Sequence, residues 1–192
     1  MLRLFTILIL YFFANAAIAT SQLTYPDVEM NAVNGSEHVW YVKGKAGAAT
    51  ENEGFVSNAG FVVTDDGVVV FDALGTPALA SMLLNEIRKI TKLPIRKVIV
   101  SHYHADHIYG LQVFKEEGAE ILAPAGVSTY LEADSTKARL QERRVSLSPW
   151  VNEKTVVVAP DRFLKESEKF SLGGVEFTVS VLGSAHSEGD LT

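Results

Sequence analysis

Between Ser101 and Tyr109 the chain reads Ser-His-Tyr-His-Ala-Asp-His-Ile-Tyr, an H-x-H-x-D-H cluster directly after the apolar run Val98-Ile99-Val100. The whole sequence holds five histidines, and three of them fall here. In an extended segment His102 and His104 project to one side, because side chains alternate with period two. Two imidazoles from one strand end can therefore reach a single ion at ~2.0–2.1 Å. Asp106 and His107 follow where the chain turns into a helix, so they point elsewhere and could serve a second ion close by. This mixture of imidazole and carboxylate suits zinc, with iron or manganese fitting almost as well. Cysteine is absent, which excludes disulfides and thiolate ligands and leaves any metal to His and carboxylates.

The elements that must position this cluster are legible as alternating β-rich and helical patterns. Val39–Val42, Gly60–Thr64 and Val68–Phe71 read as strands, and Asp65-Asp66-Gly67 between the last two is a hairpin turn. The Gly- and Ala-rich stretch from Gly44 to Gly54 reads either as a mobile flap or as a long hairpin tip. Thr76-Pro77 opens a helix with Thr as N-cap and Pro in the first turn. Leu79, Met82, Leu83, Ile87 and Ile90 continue it at helical spacing, and Pro94 is expected to stop it. Lys97–Val100 is a buried-type strand that ends at the cluster. Ile108–Glu117 reads as a helix closed by Gly118, and Glu120–Ala123 as the next strand. Val127–Arg144 is helical in one or two pieces, followed by a strand-like Thr155–Val158 and a hairpin from Lys169 to Val179 through Gly173-Gly174. Strand–helix–strand alternation of this kind indicates an α/β architecture.

Composition bounds the rest. The chain has 192 residues, 47% of them hydrophobic, and a net charge of −6. That is enough for one domain with a substantial core, and the acidic balance without a basic stripe argues against a nucleic-acid partner. The first nineteen residues read as a signal peptide: Arg3 supplies the positive end, Leu4–Phe13 the apolar centre, and Ala17-Ile18-Ala19 the cleavage site. This predicts a periplasmic or secreted protein with no stable membrane anchor after cleavage, and one domain over residues 20–192.

On these motifs the sequence resembles the metallo-β-lactamase superfamily of zinc hydrolases, whose signature is H-x-H-x-D-H at a strand end. Phe71-Asp72 at the end of the preceding hairpin is similar to that family's upstream aspartate motif, and Gly183–Asp190 to its third motif with a single His. The resemblance implies that His102, His104 and His186 bind a first zinc and that Asp106 and His107 bind a second. Asp72 would be a carboxylate that orients a ligating imidazole or the turn around it, and Asp106 would also orient a metal-bound hydroxide. Ser187, Gly189 and Asp190 shape the His186 loop rather than bind metal, and His38 is an edge or surface residue. The family fold is an αβ/βα sandwich of two similar halves, with a further Asp or Cys and a final His beyond the third motif. Ending at Thr192, this sequence is expected to be truncated and to hold the first part of that sandwich, with about two zinc ions in the full-length protein. Residues flanking the signature resemble periplasmic metallohydrolases associated with sulfur oxidation and quinoprotein systems. The function implied is exported, metal-dependent hydrolysis of a small-molecule substrate. The rivals are a β-lactam hydrolase and, from a different class, a non-catalytic metal-binding protein or inactive fragment.

Overall fold

Runs of Val, Ile and Phe broken by turn residues build most of the central sheet. The computed structural model describes residues 24–192, so the segment read as a signal peptide lies outside the described residues. Seven strands lie in sequence order: β1 (Val33–Asn34), β2 (Val39–Val42), β3 (Ala59–Thr64), β4 (Gly67–Phe71), β5 (Ile95–Ile99), β6 (Glu120–Pro124) and β7 (Arg162–Leu164). The first four are antiparallel neighbours, and β4 through β7 run parallel. The switch follows from the connections. A two-residue turn closes β3 onto β4, with Thr64 opposite Gly67 and the Thr64 hydroxyl donating to the Gly67 carbonyl at 2.9 Å. A parallel partner needs a longer crossover, and α1 (Pro77–Ile90) supplies it between β4 and β5.

Both faces of β4, of β6 and of the C-terminal half of β5 are buried, so these stretches read as apolar runs, whereas β7 at the sheet edge keeps Arg162 and Phe163 exposed. Val68 and Val70 of β4, Val98 of β5 and Ile121 of β6 point into the helix-side core, whereas Val69, Ile99 and Leu122 point to the opposite face. On the helix side α1 contributes Leu79, Leu83 and Ile87, all fully buried, at the spacing that keeps one helical face against the sheet. Its N-cap is Thr76, whose hydroxyl accepts from the Leu79 amide at 3.0 Å. The opposite face is covered by Phe177 and Val179 from the hairpin of β8 (Glu168–Leu172) and β9 (Val175–Val179). Leu191 joins them from a second hairpin, β10 (Val181–Ser184) with β11 (Glu188–Leu191). Helices, a large sheet and a further β layer are the mixed α/β arrangement expected from the sequence.

Three local expectations change, and one left open between one and two helices resolves to two. The helix α1 ends at Ile90, before Pro94, because Thr91 turns extended and its hydroxyl accepts from the Leu93 amide at 3.1 Å. The single helix expected over Ile108–Glu117 is two pieces, α2 (Ala105–Ile108) and α3 (Leu111–Glu116). The long helical stretch is also two, α4 (Val127–Glu132) and α5 (Asp134–Ser146). Thr155–Val158 forms no strand, because side chains occupy its backbone: Arg144 donates to the Thr155 carbonyl at 3.1 Å, and the Gln112 side chain accepts from the Val156 amide at 3.1 Å. The strand falls instead at β7, aligned by Asp161, whose carboxylate accepts from the Ile121 amide at 2.8 Å. Among the described residues no helix is long and apolar enough to cross a membrane.

Packing of α1 on the sheet gives a direct stability test. Leu83→Ala, at a fully buried position, should lower the unfolding free energy by about 2–5 kcal/mol in urea denaturation. Asn85→Ala on the exposed side of the same helix should change it by less than about 0.5 kcal/mol.

Candidate metal centre

The cluster stands at the carboxyl ends of β4 and β5, and one carboxylate ties these two ends together. Asp72 follows β4 directly with φ of 62°, a left-handed conformation that Asp tolerates better than most residues. Its Oδ1 accepts from the Ser101 amide at 2.7 Å, and its Oδ2 accepts from the Ser101 hydroxyl at 2.7 Å. The same Oδ2 lies 2.8 Å from Nδ1 of His107. Asp72 is buried, with its side chain 11% exposed, so these three bonds offset most of the cost of removing the carboxylate from water.

The turn after Asp72 is stitched to the motif through the backbone. The Ala73 amide donates to the His107 carbonyl at 2.9 Å, and the Gly110 amide donates to the Leu74 carbonyl at 3.2 Å. The Ser57 hydroxyl donates to the Asp106 carbonyl at 2.5 Å. These tertiary bonds take the groups that a continuous helix would pair with each other, which is why α2 and α3 are separate. Gly110 is required by proximity: a Cβ there would fall 1.9 Å from the Ala73 carbonyl oxygen.

His102, His104 and His186 converge from two parts of the chain. Their rings pack edge to face, with centroids 4.7 Å apart for His102–His104 and 4.8 Å for each of the other two pairs. One nitrogen from each lies within 4.8 Å of the others. Tetrahedral ligands at zinc distances stand about 3.3 Å apart, so small side-chain rotations bring the three onto one ion. His186 is presented by the β10–β11 turn, where the Asp190 carboxylate accepts from the amides of Ala185 at 3.2 Å, His186 at 2.5 Å and Ser187 at 2.9 Å. The Ser187 hydroxyl donates to it as well, at 2.5 Å. Burial would raise the Asp190 pKa, but these donors outweigh it and hold the carboxyl down at about 2. The loop is then fastened to the motif by the Leu191 amide, which donates to the Ser101 carbonyl at 2.8 Å.

The residues present fit a divalent metal. Nε2 of His102 is buried and has no hydrogen-bond partner within the protein, a costly state for a polar atom that a ligated ion would relieve. Its other nitrogen fixes the tautomer. A carboxylate only accepts, so the Ser101 hydroxyl donates to Asp72 and is left to accept from His102 Nδ1–H, 2.9 Å away. The lone pair therefore sits on Nε2, facing the cluster. Burial, followed by repulsion from His107, lowers the His102 pKa to about 4. Burial and then His186 lower that of His104. These two rings are accordingly neutral and ready to ligate at pH 7.

His107 behaves in the opposite way. Burial would lower its pKa, but hydrogen bonds to Asp106 and Asp72 prevail and raise it to about 9. Nε2 of His107 is 3.4 Å from Oδ2 of Asp106. Burial likewise opposes ionisation of Asp106, and the bond and charge of His107 overcome it, so that carboxyl is held below its usual range. Asp106 and His107 thus form a preassembled pair next to the three-imidazole cluster, with the His102 and His107 centroids 4.0 Å apart. The structure brings all six residues singled out by sequence, including Asp72, to one place, and leaves His38 exposed away from them. It adds Ser101, Gly110 and Ser57, which sequence reasoning did not single out. Only for Ser101 was there a signal, a hydroxyl beside the first motif His. The Gly44–Gly54 stretch is a hydrogen-bonded loop with a 3-10 turn over Ala49–Glu51, anchored by buried Asn52 and Phe55.

A family model described as the metallo-beta-lactamase superfamily matches residues 52–192, and the chain belongs to that superfamily. The curated metallo-beta-lactamase IND-1 of Chryseobacterium indologenes is 27% identical over 132 residues, which are 69% of this chain and 46% of that protein. The chain thus spans about half the length of this relative. A solved metallo-beta-lactamase from Pontibacter korlensis matches with a TM-score of 0.60 at 18% identity, over 85% of this chain and 65% of that one. The stereoselective inverting sec-alkylsulfatase Pisa1 from Pseudomonas sp. also gives 0.60, at 21% identity, over 84% of this chain and 29% of its own. At these identities the structural likeness establishes the fold.

Two outcomes follow from the hydrogen-bond chain. Ser101→Ala should turn His102 from a single Nδ1–H tautomer into a mixture in long-range proton–nitrogen NMR spectra and weaken zinc affinity about 10–100-fold, while Ser101→Thr retains both properties. The second concerns pH. His107 has its folded pKa raised to about 9, so its contribution to stability is complete below about pH 6.5 and is lost as pH rises through 9. In EDTA, the wild-type melting temperature should therefore fall between pH 7 and 10, and His107→Gln should flatten that decline.

Proposed function

We propose that this chain belongs to an exported, zinc-dependent hydrolase acting on a small-molecule substrate. Superfamily membership and the three-imidazole cluster support metal-dependent hydrolysis. The observation that carries the reading is the buried, unpartnered Nε2 of neutral His102, facing His104 and His186. His102, His104 and His186 would hold the first ion, and Asp106 and His107 would contribute to a second. A bound divalent metal supplies Lewis-acid polarisation of the group under attack and lowers the pKa of water to ~7. Asp106 is ionised near neutral pH, and its carboxylate accepts a hydrogen bond from the attacking water and orients it. Asp72 keeps Nδ1 of His107 occupied, so that only Nε2 can turn to the ion, and His107 must release its proton there to do so. Export is supported by the sequence alone, through Arg3, Leu4–Phe13 and Ala17-Ile18-Ala19.

A β-lactam hydrolase is the second reading, favoured by the 27% identity to a metallo-beta-lactamase. Calorimetric addition of Zn2+ to the full chain tests the shared core of both readings. Wild-type protein should bind at least one zinc, and the double variant His102→Ala, His104→Ala should bind none at that site. Absence of zinc binding by the wild type, or unchanged binding by the double variant, overturns the metal reading. Turnover of nitrocefin by a zinc-binding protein would select the β-lactamase reading, and its absence would reject it.

A further inference from the structure

Beside Asp106 lies an open recess of about 220 Å³, between the Gly44–Gly54 loop, the turn after β4 and the C-terminal end of α5. Asp106 forms one wall and Arg143 of α5 another, with Ala49, Gly54, Gly75 and Leu147 among the remaining lining residues. Small residues keep the recess open. A Cβ on Gly75 would lie 3.0 Å from the Gly54 carbonyl oxygen and 3.3 Å from Cα of Asp106, closing the passage between loop and motif.

Arg143 is the only cation among the residues lining this recess. Its side chain is three-quarters covered, at 24% exposure, so its charge is less screened than that of a free surface arginine. Only Nε is engaged, by Glu142 Oε2 at 3.4 Å. Among the described residues the two terminal nitrogens make no hydrogen bond or ion pair. A planar guanidinium with its outer edge free presents parallel N–H donors that match a carboxylate in bidentate fashion. The volume falls below the ~300–1,000 Å³ of complete ligand pockets, so the recess suits one substituent of a ligand whose remainder lies outside it.

We propose that this recess is the acid-binding subsite of the active centre, and that Arg143 determines specificity by holding the carboxylate of an organic-acid substrate while the bond to be hydrolysed lies at Asp106 and the histidine cluster. The assignment rests on the reading of Asp106 as part of a hydrolytic centre. It narrows the substrate to a small organic anion with a short apolar stem, which Leu147 and Ala49 would contact.

The experiment compares butyrate with its uncharged isostere butyramide, each added to the metal-free full chain after the chelator has been dialysed away, so that neither a metal nor a polycarboxylate chelator competes for the subsite. Backbone amide NMR signals are followed. Butyrate should shift Gly47, Gly54 and Gly75 saturably, and butyramide at equal concentration should not. Arg143→Gln should weaken butyrate binding about 10–100-fold, the loss expected for one charge-assisted contact, and Arg143→Lys should retain part of it. Ala49→Leu, which fills the recess from the loop without touching the charge, should also weaken binding. Circular dichroism and melting temperature verify that each variant is folded. Equal shifts by butyrate and butyramide, or unchanged butyrate affinity in folded Arg143→Gln, overturn the subsite. Because these measurements omit metal, their failure is separable from a failure of zinc binding, which would remove the hydrolase reading and leave the anion recess standing.

Discussion

Everything at the candidate centre depends on the carboxylate of Asp72. It accepts from the Ser101 amide, the Ser101 hydroxyl and His107 Nδ1, and so joins the ends of two parallel strands to the first helical turn of the motif. Buried carboxylates are tolerated only when satisfied this fully. The strained turn that carries it, with Asp72 at φ 62° and the buried Leu74 at 64°, persists because the surrounding bonds determine it completely. Remove that acceptor and both the orientation of His107 and the tautomer of His102 lose their support.

The rest of the fold can be seen as what makes such a carboxylate possible. Parallel pairing of β4 with β5 places Phe71 opposite Ile99, so the residues after each strand emerge side by side at the same edge. Helices on one face and the β8–β9 and β10–β11 hairpins on the other exclude water from the strands themselves. The site lies in the crevice beyond the carboxyl ends, where open α/β sheets commonly place ligands. The β10–β11 hairpin also has a part in the site, since the Leu191 amide and the Asp190 carboxylate fix where His186 arrives.

Electrostatics then divides one short motif into two kinds of histidine. His102 and His104 face other imidazoles in a partly dry setting and are held neutral. His107 faces two carboxylates and is held protonated in the absence of metal. Neighbouring groups, rather than residue type, set the difference. For a centre that takes up divalent cations, the consequence is that the two halves differ in what they must release on binding.

By itself the sequence determined the chemistry of the site and the order of the elements. Residue type carries ligand capacity, and the period-two spacing of His102 and His104 at a strand end already implies convergence. The β3–β4 hairpin, α1 with its Thr76 cap and the alternating strands were legible for the same reason, since local turn and cap preferences agree there with the final fold. The tertiary structure alone decided what depends on contacts distant in sequence. His186 meets His104 across 82 positions, and Asp72 reaches Ser101 and His107 across 29 and 35. Ser57 and Gly110 divide α2 from α3 through such bonds, and the side chains of Arg144 and Gln112 take the backbone groups of Thr155–Val158 that a strand would have used. No local pattern encodes these partners, because the groups that satisfy a buried donor or acceptor are chosen by packing.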